Sequence, residues 1–176
     1  MEYDTFWDQF GKVLKEGLYE DFENREKIAD ITRAYSFKHE KLISLSTYVD
    51  EMAKKQNQIY YLAADTLKQA SSSPHLEGFR ARGIDVLLMT DPIDAFWMSQ
   101  MGAFKEKSFV SISRDKYDLS ELSDDRTEDQ PEGTDANAIS ALIKECLGDL
   151  VEDVKATSSL VESPVRLIAG DGGLDF

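Results

Sequence analysis

A single cysteine, Cys146, denies this chain an internal disulfide and suits a reducing compartment. Its place in "ALIKECLGDL", on the apolar side of a helical pattern, predicts a buried structural thiol rather than a nucleophile. Histidine is nearly as scarce: His39 and His75 have no cysteine or histidine at metal-ligand spacing, so nothing points to a zinc site. No G-x-x-x-x-G-K-S/T phosphate loop occurs, and no G-x-G-x-x-G follows a strand-like run. The late "GDGG" lacks both the helix and the lysine that such a loop needs, and it reads as a turn. Positive charge is short as well. Twenty Lys plus Arg stand against thirty-four Asp plus Glu, a formal charge of -14, which repels nucleic-acid phosphates and anionic lipid. No apolar run approaches the roughly 20 residues that cross a bilayer, and the opening "MEYD" has no basic, apolar signal character. These absences predict a cytoplasmic protein with no nucleic-acid, membrane or metal partner and no catalytic constellation.

What is present is a globular composition, 41% hydrophobic and 31% charged, enough to build a core. Phe6, Phe10, Val13, Leu14 and Leu18 recur at helical spacing and predict an amphipathic helix from Asp4 to about Phe22. Gly11 and Gly17 lie inside it, each costing about 1 kcal/mol relative to alanine, so either the backbone packs closely there or the helix bends. Ile28, Ile31 and Tyr35 predict a second short helix, "KHEKLIS" a loop, and Leu45 to Met52 a third helix capped by Ser44.

The pattern then alternates. "QIYYLAAD" and "IDVLLMT" read as strands, the second apolar enough to be covered on both faces, and "KSFVSIS" as a third. Between them lie a short helix at "TLKQA" and another in "SSPHLEGFRARG", with Ser73 as cap, Pro74 at the first position and Gly83 just past the end. "DPIDAFWMSQM" reads as one more helix, with Asp91 as cap and Pro92 at its first position. Strands alternating with helices imply crossovers and a mostly parallel sheet, hence an α/β unit over residues 1–116.

Residues 117–134 read as an acidic linker. Glu121 to Asp135 holds seven acidic residues and one arginine, too little apolar surface to order itself. Ala138, Ile139, Leu142, Ile143 and Cys146 predict a further amphipathic helix, followed by strands at "VEDVKAT" and "PVRLIAG". The stretch 135–176 is short for a core of its own, and the ending "GDGGLDF" predicts that the unit is truncated.

"DPIDAFWMSQM" carries more apolar surface than one helix face can bury. Ile93, Trp97 and Met101 form one stripe, with Ala95, Phe96 and Ser99 on the other side. Two readings stay open: Phe96 fills an edge of the core, or it is partly exposed and, with Met98, offers an adaptable contact surface.

The segments "FWDQFGKVLKEGLYEDFENREKIADITR", "SLSTYVDEMAKKQNQIYYLAAD", "SSPHLEGFRARGIDVLLMTDPIDAF" and "KSFVSIS" together resemble, in order and spacing, the middle region of the ninety-kilodalton heat-shock chaperones, most of all bacterial ones. The resemblance runs from about Tyr3 to Leu122 and continues more weakly from Asp135 to Gly170. It implies a three-layer α/β/α middle subdomain, then the truncated start of an α+β C-terminal domain. It also implies an ATP and magnesium site in an N-terminal domain outside this chain, with no cofactor and no catalysis here. Dimerisation through later C-terminal helices is implied too, leaving this chain a monomer or weakly associated. Client-contacting positions of the family match Ala95, Phe96 and Ser99, where alanine, phenylalanine and serine replace the more usual glutamate, tryptophan and asparagine. The expected client-binding set is therefore Ala95, Phe96, Trp97, Met98 and Ser99, with Phe96 carrying the contact to partly unfolded proteins and the surrounding negative charge favouring basic ones. The alternative is a small-ligand or nucleotide-binding α/β domain, using the strand ends near Ala64 to Ser73 and Thr90 to Asp94.

Overall fold

The computed structural model describes residues 2–114, 117, 119, 122, 136–157 and 159–170. Helix α1 (Glu2–Glu20) leads through a turn into α2 (Arg25–Ile31), followed by a hairpin of β1 (Arg33–Ser36) and β2 (Lys41–Ser44) and by α3 (Leu45–Asp50). Then come β3 (Gln58–Ala63), α4 (Leu67–Ser71), a 3-10 turn at Pro74–Leu76, α5 (Glu77–Ala81) and β4 (Leu87–Met89). Helix α6 (Asp94–Met101) and the hairpin of β5 (Ala103–Phe104) and β6 (Lys107–Ser111) complete the unit, and α7 (Ala136–Leu147) stands beyond it.

The six strands form one sheet in the order β2-β1-β4-β3-β6-β5. Its centre is parallel, β3 pairing with β4 and with β6, as the crossovers through α4–α5 and α6 require. Both flanks are antiparallel hairpins, so the sheet is mixed. Strand side chains alternate between two cores, which makes the unit a three-layer α/β/α sandwich. Ile59, Leu87 and Met89 face α1, α2, α3 and α6 together with Leu18, Leu45, Trp97 and Phe104. Tyr60, Leu62 and Leu88 face the other way onto Leu76, Phe79, Ile84 and Ile112. There the rings of Tyr60, Phe79 and Tyr117 cluster, with centroids 4.9 to 6.1 Å apart.

Local chemistry explains the element boundaries. Ser44 accepts from the Thr47 amide and Thr66 from the Gln69 amide, satisfying first-turn donors of α3 and α4. Ser73 caps the 3-10 turn that Pro74 opens, and Gly83 ends the following helical stretch at φ +63°, where a side chain would be strained. Gly11 and Gly17 mark close packing rather than a bend. A Cβ at Gly11 would lie 2.7 Å from the Trp7 ring, and one at Gly17 would lie 2.9 Å from Ile28 Cδ1.

Four expectations are corrected. Tyr35 lies in β1, not in a helix, and "KHEKLIS" is largely the turn and second strand of the hairpin; pairing with the β4 edge overrides weak local propensity. Helix α1 buries a different face: Trp7, Gly11, Lys15 and Leu18 point inward, while Phe6, Phe10 and Val13 are exposed. Residues 151–157 and 164–170 form no strands. Between those stretches the amides of Val161, Glu162 and Ser163 donate to the Glu77 carboxylate instead of to a neighbouring strand. Finally, Cys146 is exposed, because α7 buries no residue within the described structure. The acidic stretch 121–135 lies outside the described residues except at Leu122.

Candidate functional site

Helix α6 starts two residues later than capping logic predicts, at Asp94 rather than Pro92. The Asp91 carboxylate is taken by lysines, Lys12 Nζ at 3.2 Å and Lys15 Nζ at 2.8 Å, and residues 91–93 form a turn in front of the helix. Asp94 supplies the organising side chain. Its Oδ1 accepts from Trp97 Nε1 at 2.8 Å, and its Oδ2 accepts from the Asp91 amide and from Lys15 Nζ, both at 3.1 Å. Lys15 is only 5% exposed and Asp94 only 1%. A buried ammonium thus clamps α1 to the first turn of α6, and every partner is hydrogen-bonded, the condition under which such a pair is tolerated. Burial works against the Asp91 charge, yet Lys15 and then Lys12 outweigh it and hold the carboxyl below its usual range.

The clamp decides which side of α6 faces outward. Trp97 is fully buried, edge-on to Phe109 at 5.4 Å, and Met98 is 2% exposed in the same core. Neither side chain reaches solvent, so these two expected contact residues belong to the core instead. Ile93 and Met101 pack against that core as partly buried neighbours. The remaining three expected residues share the outer side: Ala95 is half-buried, Ser99 is exposed with its hydroxyl donating to the Phe96 carbonyl, and Phe96 is 44% exposed. One aromatic fills the core and its neighbour in sequence does not.

The residues considered for a small ligand have structural partners. Thr66 and Ser73 cap helical turns, and the Ser72 hydroxyl donates to the Lys68 and Gln69 carbonyls. Asp91 and Asp94 share Lys15, and Asp91 is also paired with Lys12. His39 pairs with Glu51 at 2.7 Å. Among the described residues no group of three His, Cys, Asp or Glu side chains could hold a metal ion, and no helix is long and apolar enough to cross a membrane. Sequence reasoning missed the Lys15 clamp. Its one signal was a lysine spaced three before Leu18 and four after Gly11, on the face that turned out to be buried.

Fold and site together define an α/β/α module presenting an exposed aromatic on a rigidly seated helix. The model of the Hsp90 protein family matches residues 1–175. The chain belongs to the Hsp90 family. It is 41% identical to the chaperone protein HtpG of Gluconobacter oxydans over 99% of its length, covering 28% of that protein. It is 43% identical to HtpG of Nitrosomonas eutropha over 96% of its length, covering 27% of that protein. The chain thus spans less than a third of these relatives. Among solved structures it resembles the middle domain of a putative heat-shock protein from Plasmodium falciparum, at TM-score 0.57 and 36% identity, covering 61% of this chain and 46% of that one.

Proposed function

We propose that this chain is the part of an ATP-dependent, dimeric chaperone that touches partly unfolded client proteins, and that the outer side of α6 makes the contact. The observation that carries the proposal is Phe96, 44% exposed beside a fully buried Trp97. A large aromatic held in water by a helix that cannot rotate costs solvation, and recovers it when another apolar surface covers it. Ala95 and Ser99 are small and let a client chain approach closely. That the relatives are chaperones supports the same reading.

On this reading residues 1–116 are the small α/β/α part of a middle domain, 117–134 a link, and 135–176 the beginning of a C-terminal domain. ATP and its magnesium belong to a domain outside this chain, so the segment does no covalent chemistry. It supplies weak, reversible contact in the cytoplasm, and by itself it is a monomer or associates weakly. The test is a fluorescence-anisotropy titration of a labelled, partly unfolded protein with this chain and with Phe96→Asp. With Phe96 44% exposed, covering the rest of its ring gains at most about 1 to 2 kcal/mol, so the substitution should weaken binding about tenfold with far-UV circular dichroism unchanged. Unchanged affinity in a folded variant moves the contact away from α6.

A further inference from the structure

The turn between α1 and α2 carries the most exposed phenylalanine of the first unit, Phe22, at 69% exposure. Exposed phenylalanines on loose loops mean little, but this one is held. Asp21 Oδ1 accepts from the Asn24 amide at 3.1 Å and its Oδ2 from Asn24 Nδ2 at 2.9 Å, closing the turn around Phe22. The Arg25 guanidinium lies over the Phe22 ring, 4.2 Å from its centroid, and donates to the Tyr19 carbonyl at 3.3 Å. Its other terminal nitrogen donates to the Gln100 carbonyl at 3.4 Å, on α6. Gln100 is one helical turn beyond Phe96, on the same outer side. Arg25 therefore ties the Phe22 turn to the last turn of α6, the helix that carries the exposed Phe96.

We infer that Phe22 and Phe96 are two anchors of one docking surface for an unfolded polypeptide in which large apolar residues stand beside lysine or arginine. Charge complementarity selects that occupant. Glu16, Glu20, Asp21, Glu23 and Glu26 surround Phe22 in sequence, four of them exposed, and Arg25, the one cation of that stretch, is already engaged by carbonyls and the ring. An incoming basic residue beside an apolar anchor meets carboxylates at the rim while its neighbour covers a ring. The inference rests on the client-binding reading of α6 and extends it to a second element and a charge rule.

The experiment titrates the whole chain against a fluorescein-labelled, glycine-rich unfolded peptide bearing leucine–lysine pairs, and against its leucine–glutamate counterpart. At low salt the lysine peptide should bind about tenfold tighter than the glutamate peptide, the gap closing at high salt. Phe22→Ser should weaken the lysine peptide several-fold, and Phe22→Tyr should retain its affinity. Because Phe22 is exposed, both variants should keep wild-type circular dichroism and tryptophan emission. If Phe96→Ser weakens binding and Phe22→Ser does not, the inference falls and the α6 proposal stands. If only Phe22→Ser weakens it, the α6 proposal fails and so does the two-anchor surface. Equal affinity for both peptides overturns the charge rule.

Discussion

Replacing Lys15 by methionine tests the clamp that seats α6. Methionine keeps most of the volume and the apolar stem but removes the ammonium that lies 2.8 Å from Asp91 and 2.9 Å from Asp94. Breaking a buried pair by deleting one partner costs about 3 to 5 kcal/mol, because the other charge stays behind without compensation. Here the low end applies. Asp91 is partly exposed and keeps Lys12 at 3.2 Å, and Asp94 keeps the Trp97 indole and the Asp91 amide as donors. A loss of about 3 kcal/mol lowers the melting temperature by about 10 °C in a unit of this size. Urea unfolding followed by tryptophan emission reads the effect where it arises, since Trp97 donates its indole proton to Asp94. Adding Asp94→Asn to Lys15→Met should recover part of the loss, as a neutral amide needs no counter-ion. A Lys15→Met variant within about 0.5 kcal/mol of wild type would refute the reasoning, showing that the pair is worth no more than a surface one.

Three further outcomes concern contacts elsewhere in the fold. Glu77 accepts from the Ser163 hydroxyl and then from the amides of Glu162 and Val161, which hold its carboxyl down to about 2. A depressed carboxylate stabilises docking of residues 161–163 above the ordinary range near about 4.3, and the contribution is lost as pH falls toward about 2. Amide exchange should show those three amides protected at neutral pH and released across that window, with Glu77→Gln releasing them at pH 7; protection that survives the substitution refutes the latch. Gly11→Ala should destabilise by about 1 to 3 kcal/mol in thermal or urea melts despite better helix propensity, because its Cβ would meet the Trp7 ring at 2.7 Å; a stabilised variant would show that Trp7 yields freely. Tyr48→Phe should cost about 1 to 3 kcal/mol, since the phenol donates to the Asp85 carbonyl and accepts from Gln56 Nε2 and the buried Tyr60 amide; a urea midpoint equal to wild type would mean those groups find other partners.

Much of the unit was legible because its signals are local. "QIYYLAAD" and "IDVLLMT" carry the residue preferences of covered strands, and both are strands of the parallel centre. Ser44, Pro74 and Gly83 act within a few residues of themselves and lie where capping chemistry puts them. The hairpin of β1 and β2 was not legible, since Tyr35 is drawn into a strand by pairing with Leu88, remote in sequence, and Ile43 then pairs with Ala34 across a turn that holds no glycine or proline. Nor was the orientation of α1: the phenylalanine stripe has the stronger apolar signal, yet the face with Trp7 above a glycine is the one that packs.

The candidate site divides the same way. By itself the sequence determined that the α6 stretch holds more apolar surface than one face can bury, that the chain is acidic, and that no phosphate loop or metal spacing is present. Composition and spacing carry those facts without folding. Only the tertiary structure decided that Trp97 and Met98 are core while Phe96 stays in water, that Lys15 fixes this choice, and that Phe22 and Arg25 stand at the other end of the same helix. Lys15 and Asp94 are 79 residues apart, and Arg25 and Gln100 are 75 apart. Contacts of that separation leave no local signature, because each partner alone has the composition of an ordinary solvated charge, and only the packed sheet brings them together.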